Sequence, residues 1–298
     1  MLKSAWLLLK DSVGAFIEDD ALSRGAAMAF YAMTSIAPIL LIVVAIAGLV
    51  FGHDAAQNAI AGELSGLMGQ QSAELLQGAI KGAAGKSSGI IGTIVGLVTL
   101  LITASGVFGE MQAALNVIWK AKPAGGTVSR LIRARAASLG LVAALGFLLM
   151  VSLVIGAATT AFGHMINAWL PFGDVLLHGL NLVISFAMTA ALFAAIYKIL
   201  PDRRIDWRDV GVGAVVTAVL FTVGKTLIGI YLGSSAVAST YGAAGALIVV
   251  LLWVYYSSEI FLLGAEFTHA YAQRHGSGAG GPSPPATGDF VPGSAPIR

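Results

Sequence analysis

Six stretches of this chain are long and apolar enough to cross a bilayer. They lie near residues 26–52, 89–108, 136–162, 175–200, 210–233 and 243–267, and about 20 apolar residues suffice to span a hydrocarbon core. Composition agrees. Charged residues make up only 11% of the chain and its mean hydropathy is +0.85, whereas a soluble domain carries about 25% charged residues. The expected fold class is all-α, a polytopic membrane protein of six transmembrane helices. An N-terminal amphipathic interfacial helix is expected at 1–24, the six-helix domain at 25–271, and a disordered cytoplasmic tail rich in Gly, Pro and Ser at 272–298.

Basic residues set the orientation. The N-terminal segment carries Lys3, Lys10 and Arg24. The loop after the second stretch carries Lys120, Lys122, Arg130, Arg133 and Arg135. Lys198, Arg203, Arg204 and Arg208 follow the fourth stretch, and Arg274 and Arg298 lie in the tail. Fourteen of the 17 basic residues thus fall on one side, against Lys81 and Lys86 on the other. Positive charge marks the cytoplasmic side, so both termini are expected inside. The apolar run before Lys10 and Asp11 is too short for a signal peptide. Cysteine is absent and the net charge of +2 is small, so neither disulfides nor a nucleic-acid partner is suggested.

Trp6, Leu9, Val13 and Phe16/Ile17 recur at helical spacing before the first stretch. This predicts either an interfacial helix on the inner membrane surface or a helix packed on the cytoplasmic ends of the bundle. In the long external loop, Ile60, Leu64, Leu67/Met68, Leu75/Leu76 and Ala79/Ile80 predict two short amphipathic helices broken near Gly69.

Ionisable residues inside a span are costly and point to function. Lys225 sits about 15 residues into the fifth stretch, hence roughly 22 Å from its inner end at 1.5 Å per residue. That predicts a place in the outer half of the bilayer. Glu259 is expected in the inner half, too distant in depth for an ion pair with Lys225. Glu266 shares a helix face with Glu259, and Glu110 lies near the inner end of the second stretch. These residues read either as a polar path, with Lys225 attracting anions, or as a snorkelling lysine and carboxylates facing basic loops.

Pro38 is a candidate kink or hinge in the first stretch, with Thr34 and Ser35 placed to bond the carbonyls it frees. The pairs Gly92/Gly96 and Gly229/Gly233 are candidates for close helix packing, within one bundle or in a homo-oligomer. Gln112, Asn116 and Trp119 fall at the inner interface. No motif for metal, nucleotide or hydrolytic chemistry is present. An enzyme, a metal site and a cofactor are therefore not expected.

Several pieces in order resemble the YihY/BrkB family of bacterial inner-membrane proteins. They are Ala26-Ala27-Met28-Ala29-Phe30-Tyr31 running to Pro38, and Ala114-Leu115-Asn116-Val117-Ile118-Trp119. Next come Leu200-Pro201 with Trp207-Arg208-Asp209, then Gly224-Lys225 with Tyr231. Tyr241-Gly242, Trp253-Val254-Tyr255 and Leu262-Leu263-Gly264-Ala265-Glu266 complete the series. The resemblance covers about residues 2–271. It implies a six-span bundle in a bacterial cytoplasmic membrane and includes the positions of Lys225 and Glu266. It also adds Tyr231 and Tyr241 to the candidate path. The family once carried the label ribonuclease BN, which nothing in these residues supports. It is also associated with transport of envelope lipid precursors and with resistance to host defence.

Three functions fit these features. The first is a transporter or flippase of an anionic amphiphile, with membrane lipids as partners. The second is a channel or ion-coupled carrier using Glu259 and Glu266. The third is a non-transporting membrane scaffold.

Overall fold

The computed structural model describes residues 2–52, 106–121, 173–234 and 237–276, with isolated helical positions between 57 and 78. Among the described residues the only regular elements are helices. They are α1 (Leu2–Glu18), α2 (Ala21–Phe51), α3 (106–118), α4 (Gly173–Ile199), α5 (Trp207–Ser234) and α6 (Val237–His275). Three carry segments long and apolar enough to cross a membrane: Leu182–Ile199, Trp207–Tyr231 and Ala244–His275. They match the fourth, fifth and sixth expected stretches. α2, with 31 residues, covers the first. The second and third stretches lie outside the described residues, apart from 106–108.

α6 is the hub of the described bundle and packs against α5, α2 and α1, while α4 packs along α5 and reaches α6 through Phe193 and Tyr197. At 39 residues it is roughly 58 Å long, well beyond a hydrocarbon core of about 30 Å. It runs through His275, past the expected domain end at residue 271, because Ala272 is buried with the core. Aromatic side chains join α4, α5 and α6. Phe193 stacks with Phe261 and meets Phe221 edge-on, Tyr197 packs on Phe261 at 5.4 Å between centroids, and Phe221 touches Trp253. The Tyr197 hydroxyl donates to the Phe261 carbonyl at 2.7 Å and lies 3.2 Å from Thr217 Oγ1, so its buried polar tip is satisfied.

α1 turns into α2 through Asp19 and Asp20. Asp20 adopts a left-handed φ of 54°, which Asp tolerates better than most residues. Its carboxylate accepts a bond from the Ser23 hydroxyl at 3.0 Å, and Arg24 Nε donates to the Asp19 carbonyl at 3.0 Å. Leu8 and Ser12 are buried, α1 packs against α6, and Arg274 of α6 pairs with Asp11. The apolar stripe of Trp6, Leu9, Val13 and Ile17 lies on another face and stays exposed. So α1 packs on the bundle, and of the residues whose spacing predicted the helix only Phe16 packs against the core, while Trp6, Leu9, Val13 and Ile17 stay outside it.

The described positions of the loop expected to be external are helical, and Ile60, Ala73 and Leu76 are buried. The expected break at Gly69 lies outside the described residues, as do Gly92, Gly96 and the tail after residue 276.

Candidate functional site

Glycines set how α6 meets its neighbours. A Cβ on Gly213 would collide with the Thr268 side chain, one on Gly264 with Thr217, and one on Gly224 with Ile260 Cδ1 at 2.6 Å. These contacts fix an antiparallel register between α5 and α6. Continuing it from the Thr217–Gly264 contact places Lys225 opposite Tyr256, whose ring Gly224 touches. Glu259 is then only three residues away along the pair, about 4.5 Å in depth. The expected separation into outer and inner halves is therefore not what keeps the two apart. Direction does: the Glu259 carboxylate is turned to α2, against Gly25.

Lys225 continues a stripe of α5 formed by Ala214, Ala218 and Phe221. The two alanines are buried and Phe221 is partly buried in the core, whereas Lys225 is exposed. Among the described residues it makes no hydrogen bond or ion pair. Val219, Val223 and Leu227, on neighbouring faces of α5, are exposed apolar surface.

The two carboxylates behave differently. Glu259 and Glu266 both have buried side-chain oxygens that no donor meets at good hydrogen-bond geometry among the described residues, although the Tyr255 hydroxyl neighbours Glu259 and the Asp19 carboxyl neighbours Glu266. Glu266 is 1% exposed. The charged groups that face it are Asp19 and Glu18 from the α1–α2 turn and Lys120 after α3. An unpaired buried carboxylate is expensive; Lys120, from the basic loop after the second stretch, faces Glu266 as one sequence reading allowed, but the acids of the α1–α2 turn face it too. Nearby, the Trp119 ring packs edge-on against His269 at 5.1 Å, and the indole Nε1 is buried without an acceptor. His269 bonds Gln273 at 2.9 Å. Glu110 is half-buried on α3 and makes no hydrogen bond or ion pair among the described residues.

Asn116 has a definite job. Its Nδ2 donates to Asp202 Oδ2 at 3.0 Å, and its Oδ1 accepts the Asp202 backbone N–H at 2.8 Å. Gln112 donates to the other carboxylate oxygen at 3.3 Å, and Arg203 donates to the Trp119 carbonyl at 2.9 Å. The end of α3 thus clamps the α4–α5 turn. α3 itself stops through Lys120 at φ 48°, with Ala121 N–H bonding the Asn116 carbonyl and Lys120 N–H that of Val117. This is a left-handed cap usually given to Gly. Sequence reading placed Asn116 at the interface but missed Asp202; the turn signal Leu200-Pro201 just before it was the only local hint.

The remaining candidates scatter. Tyr231 is exposed near the far end of α5, and the Tyr241 side chain lies outside the described residues although its backbone is helical. α2 is one helix through Pro38. Thr34 and Ser35 both donate to the Tyr31 carbonyl at 2.8 Å, whereas the carbonyl a proline at 38 frees is that of Thr34, four residues before it. The expected rescue is therefore one turn out of place. Gly229 meets no other side chain or helix among the described residues, and the Gly233 surroundings are outside the described residues. Close approach falls instead to Gly25, Gly106, Gly213, Gly224 and Gly264; a Cβ on Gly106 would meet the Tyr31 ring at 2.6 Å. No spacing rule singled these out, because each is defined by a partner on another helix.

The profile of the family described as virulence factor BrkB matches residues 12–288. The chain belongs to this family. It is 26% identical over 267 residues to a UPF0761 membrane protein of Psychrobacter sp., covering 88% of this chain and 47% of the relative. A UPF0761 membrane protein of Glaesserella parasuis is 27% identical over 208 residues, 68% of this chain and 69% of the relative. One of Yersinia pestis is 28% identical over 191 residues, 61% and 62%. The chain spans about half the length of the Psychrobacter relative. No solved structure matches the chain. Together with three helices long and apolar enough to cross a bilayer, family membership makes this chain a membrane protein of the BrkB family.

Proposed function

We propose that this BrkB-family chain is a transporter or flippase of an anionic amphiphile, such as a phosphate-bearing lipid. It works in a bacterial cytoplasmic membrane, with six spans and both termini in the cytoplasm. The observation that carries the reading is Lys225. It lies within the Trp207–Tyr231 span, exposed, with no hydrogen bond or ion pair among the described residues. A cation inside a span is costly, by up to about 2.5–3.5 kcal/mol on insertion scales where it sits at the centre. An anionic headgroup passing along α5 offsets that cost, and the exposed valines and leucine beside Lys225 suit acyl chains. The exposed stripe of α1, with Lys10 at its edge, suits an interfacial helix on an anionic inner leaflet.

Reconstitution into liposomes with a fluorescent anionic lipid tests this. The parent protein is expected to move the label between leaflets, and Lys225→Ala to lose most of that activity. Equal movement by Lys225→Ala overturns the site, and no movement by the parent overturns the activity.

A second reading, an ion-coupled carrier, is favoured by Glu259 and Glu266, whose buried carboxylates have only Tyr255 and Asp19 as neighbouring proton-bearing side chains and no donor at good hydrogen-bond geometry among the described residues. Proton flux into the same liposomes that is lost in Glu259→Gln, with lipid movement absent, would select it.

A further inference from the structure

We infer that the cavity between α3 and the α4–α5 turn is a binding site for the phosphate headgroup of a membrane lipid. The inference rests on the lipid reading above and names where the headgroup is first held. The cavity is open and measures about 310 Å³, within the range that takes small ligands. Lys198, Arg203 and Arg204 line it, against one carboxylate, Asp202.

That carboxylate is already committed. Asp202 accepts bonds from Asn116 and Gln112, so amides rather than the arginines compensate it. The cations keep donors to spare. Lys198 spends one N–H on the Ile205 carbonyl and sits 5.3 Å from the Trp207 ring centroid, which leaves two N–H groups. Arg203 spends one arm on the Trp119 carbonyl. Arg204 makes no hydrogen bond or ion pair among the described residues. A guanidinium fork matches phosphate oxygens geometrically, and the clamp on Asp202 holds this turn in place before any ligand arrives.

The cavity wall identifies a lipid rather than a free phosphate. Ile199, 59% exposed at the end of α4, lines the same cavity, and Trp207 beside Lys198 is 64% exposed. On α5 the exposed Val212 and Val215 follow Trp207 within about two turns, so the cavity opens beside apolar surface of that span. Basic pockets flanked by an interfacial Trp are where anionic lipids sit on membrane proteins. A soluble anion has no use for the apolar half.

The test uses the full chain in mild detergent. It is titrated with a short-chain phosphatidylglycerol, with phosphatidylcholine of the same chains, and with inorganic phosphate. The signal is the Trp207 emission, taken as the difference between the parent and Trp207→Phe. Phosphatidylglycerol is expected to give a saturable change, with phosphatidylcholine about tenfold weaker and inorganic phosphate giving none. Arg204→Gln is expected to weaken phosphatidylglycerol about tenfold, and Arg204→Lys to recover part of the loss. Lys198→Gln is the second variant should Arg204→Gln fail to fold, with a similar weakening expected. Equal binding of the two lipids, undiminished binding by the variants, or no saturable change overturns the site. Saturation by inorganic phosphate reassigns it to a free anion and overturns the lipid. Binding without movement in liposomes overturns the transport reading and leaves this site standing. Movement with binding and transport both intact in Arg204→Gln does the reverse.

Discussion

The Glu259 carboxylate of α6 lies against the backbone of Gly25 in α2, so close that a Cβ at residue 25 has no room. The contact ties the hub helix to the first turns of α2 and directs Glu259 away from Lys225, although the two are about 4.5 Å apart in depth. Gly25→Ala should destabilise the protein by about 1–3 kcal/mol through overpacking. Glu259→Ala should tolerate that alanine, so the two changes are expected to be non-additive by about 0.5–3 kcal/mol. Thermal or denaturant unfolding of the four proteins of the cycle in detergent measures the coupling; simple additivity would mean the contact is not formed.

The α5–α6 seam predicts a contrast among glycines. Gly264→Val drives a side chain into Thr217, and Gly213→Val one into Thr268. Each should lower stability by about 1–3 kcal/mol or prevent folding. Gly229→Ala meets open space and should be neutral or stabilising by up to about 1 kcal/mol, the difference in helix propensity. Unfolding midpoints check the order; a loss at Gly229 equal to that at Gly264 would contradict the register.

The clamp between Asn116 and Asp202 should be felt as a unit. Asn116→Ala strands the Asp202 backbone N–H and half of its carboxylate, at a cost of about 1–3 kcal/mol. Asn116→Asp should be worse, because two carboxylates then face each other. Asp202→Asn is expected to restore part of the stability of Asn116→Asp. Protease accessibility of the 200–206 turn, together with the unfolding midpoint, reads the effect, and an Asn116→Asp protein as stable as the parent would refute it.

Lys225 separates function from folding. Because it makes no hydrogen bond or ion pair among the described residues and stands beside exposed Val223 and Leu227, Lys225→Leu should leave the unfolding midpoint unchanged or higher. The same variant should lose lipid movement in liposomes. A variant that unfolds earlier would show the lysine to be structural.

The exposed stripe of α1 should matter to the membrane and not to the bundle. Replacing Leu9 and Ile17 together by Ser should change stability in detergent by no more than about 0.5 kcal/mol per site. In vesicles, it should reduce quenching of Trp6 by brominated lipid, measured against Trp6→Phe. Unchanged quenching would place the stripe against something other than lipid.

Hydropathy and charge along the chain were enough to mark α2, α4, α5 and α6, the basic end, and the residues whose burial would be costly. These are properties of solvation: a long apolar run or an ionisable group inside one has a free energy set by its medium, before any partner is chosen. The stripe of α1 was legible for the same reason. What the sequence did not hold was rotation and register. Glu259 and Lys225 have similar depth and different directions, Gly229 has the right spacing and no neighbour among the described residues, and Asn116 finds Asp202 86 residues away. Each depends on which side of one helix meets which turn of another. Close packing decides that, through glycines whose only signature is the side chain opposite them. Lys225 as a buried-charge suspect was thus readable from the chain alone, while its exposure, its place opposite Tyr256 and the pocket at Arg204 were decided only when α3, α4, α5 and α6 came together.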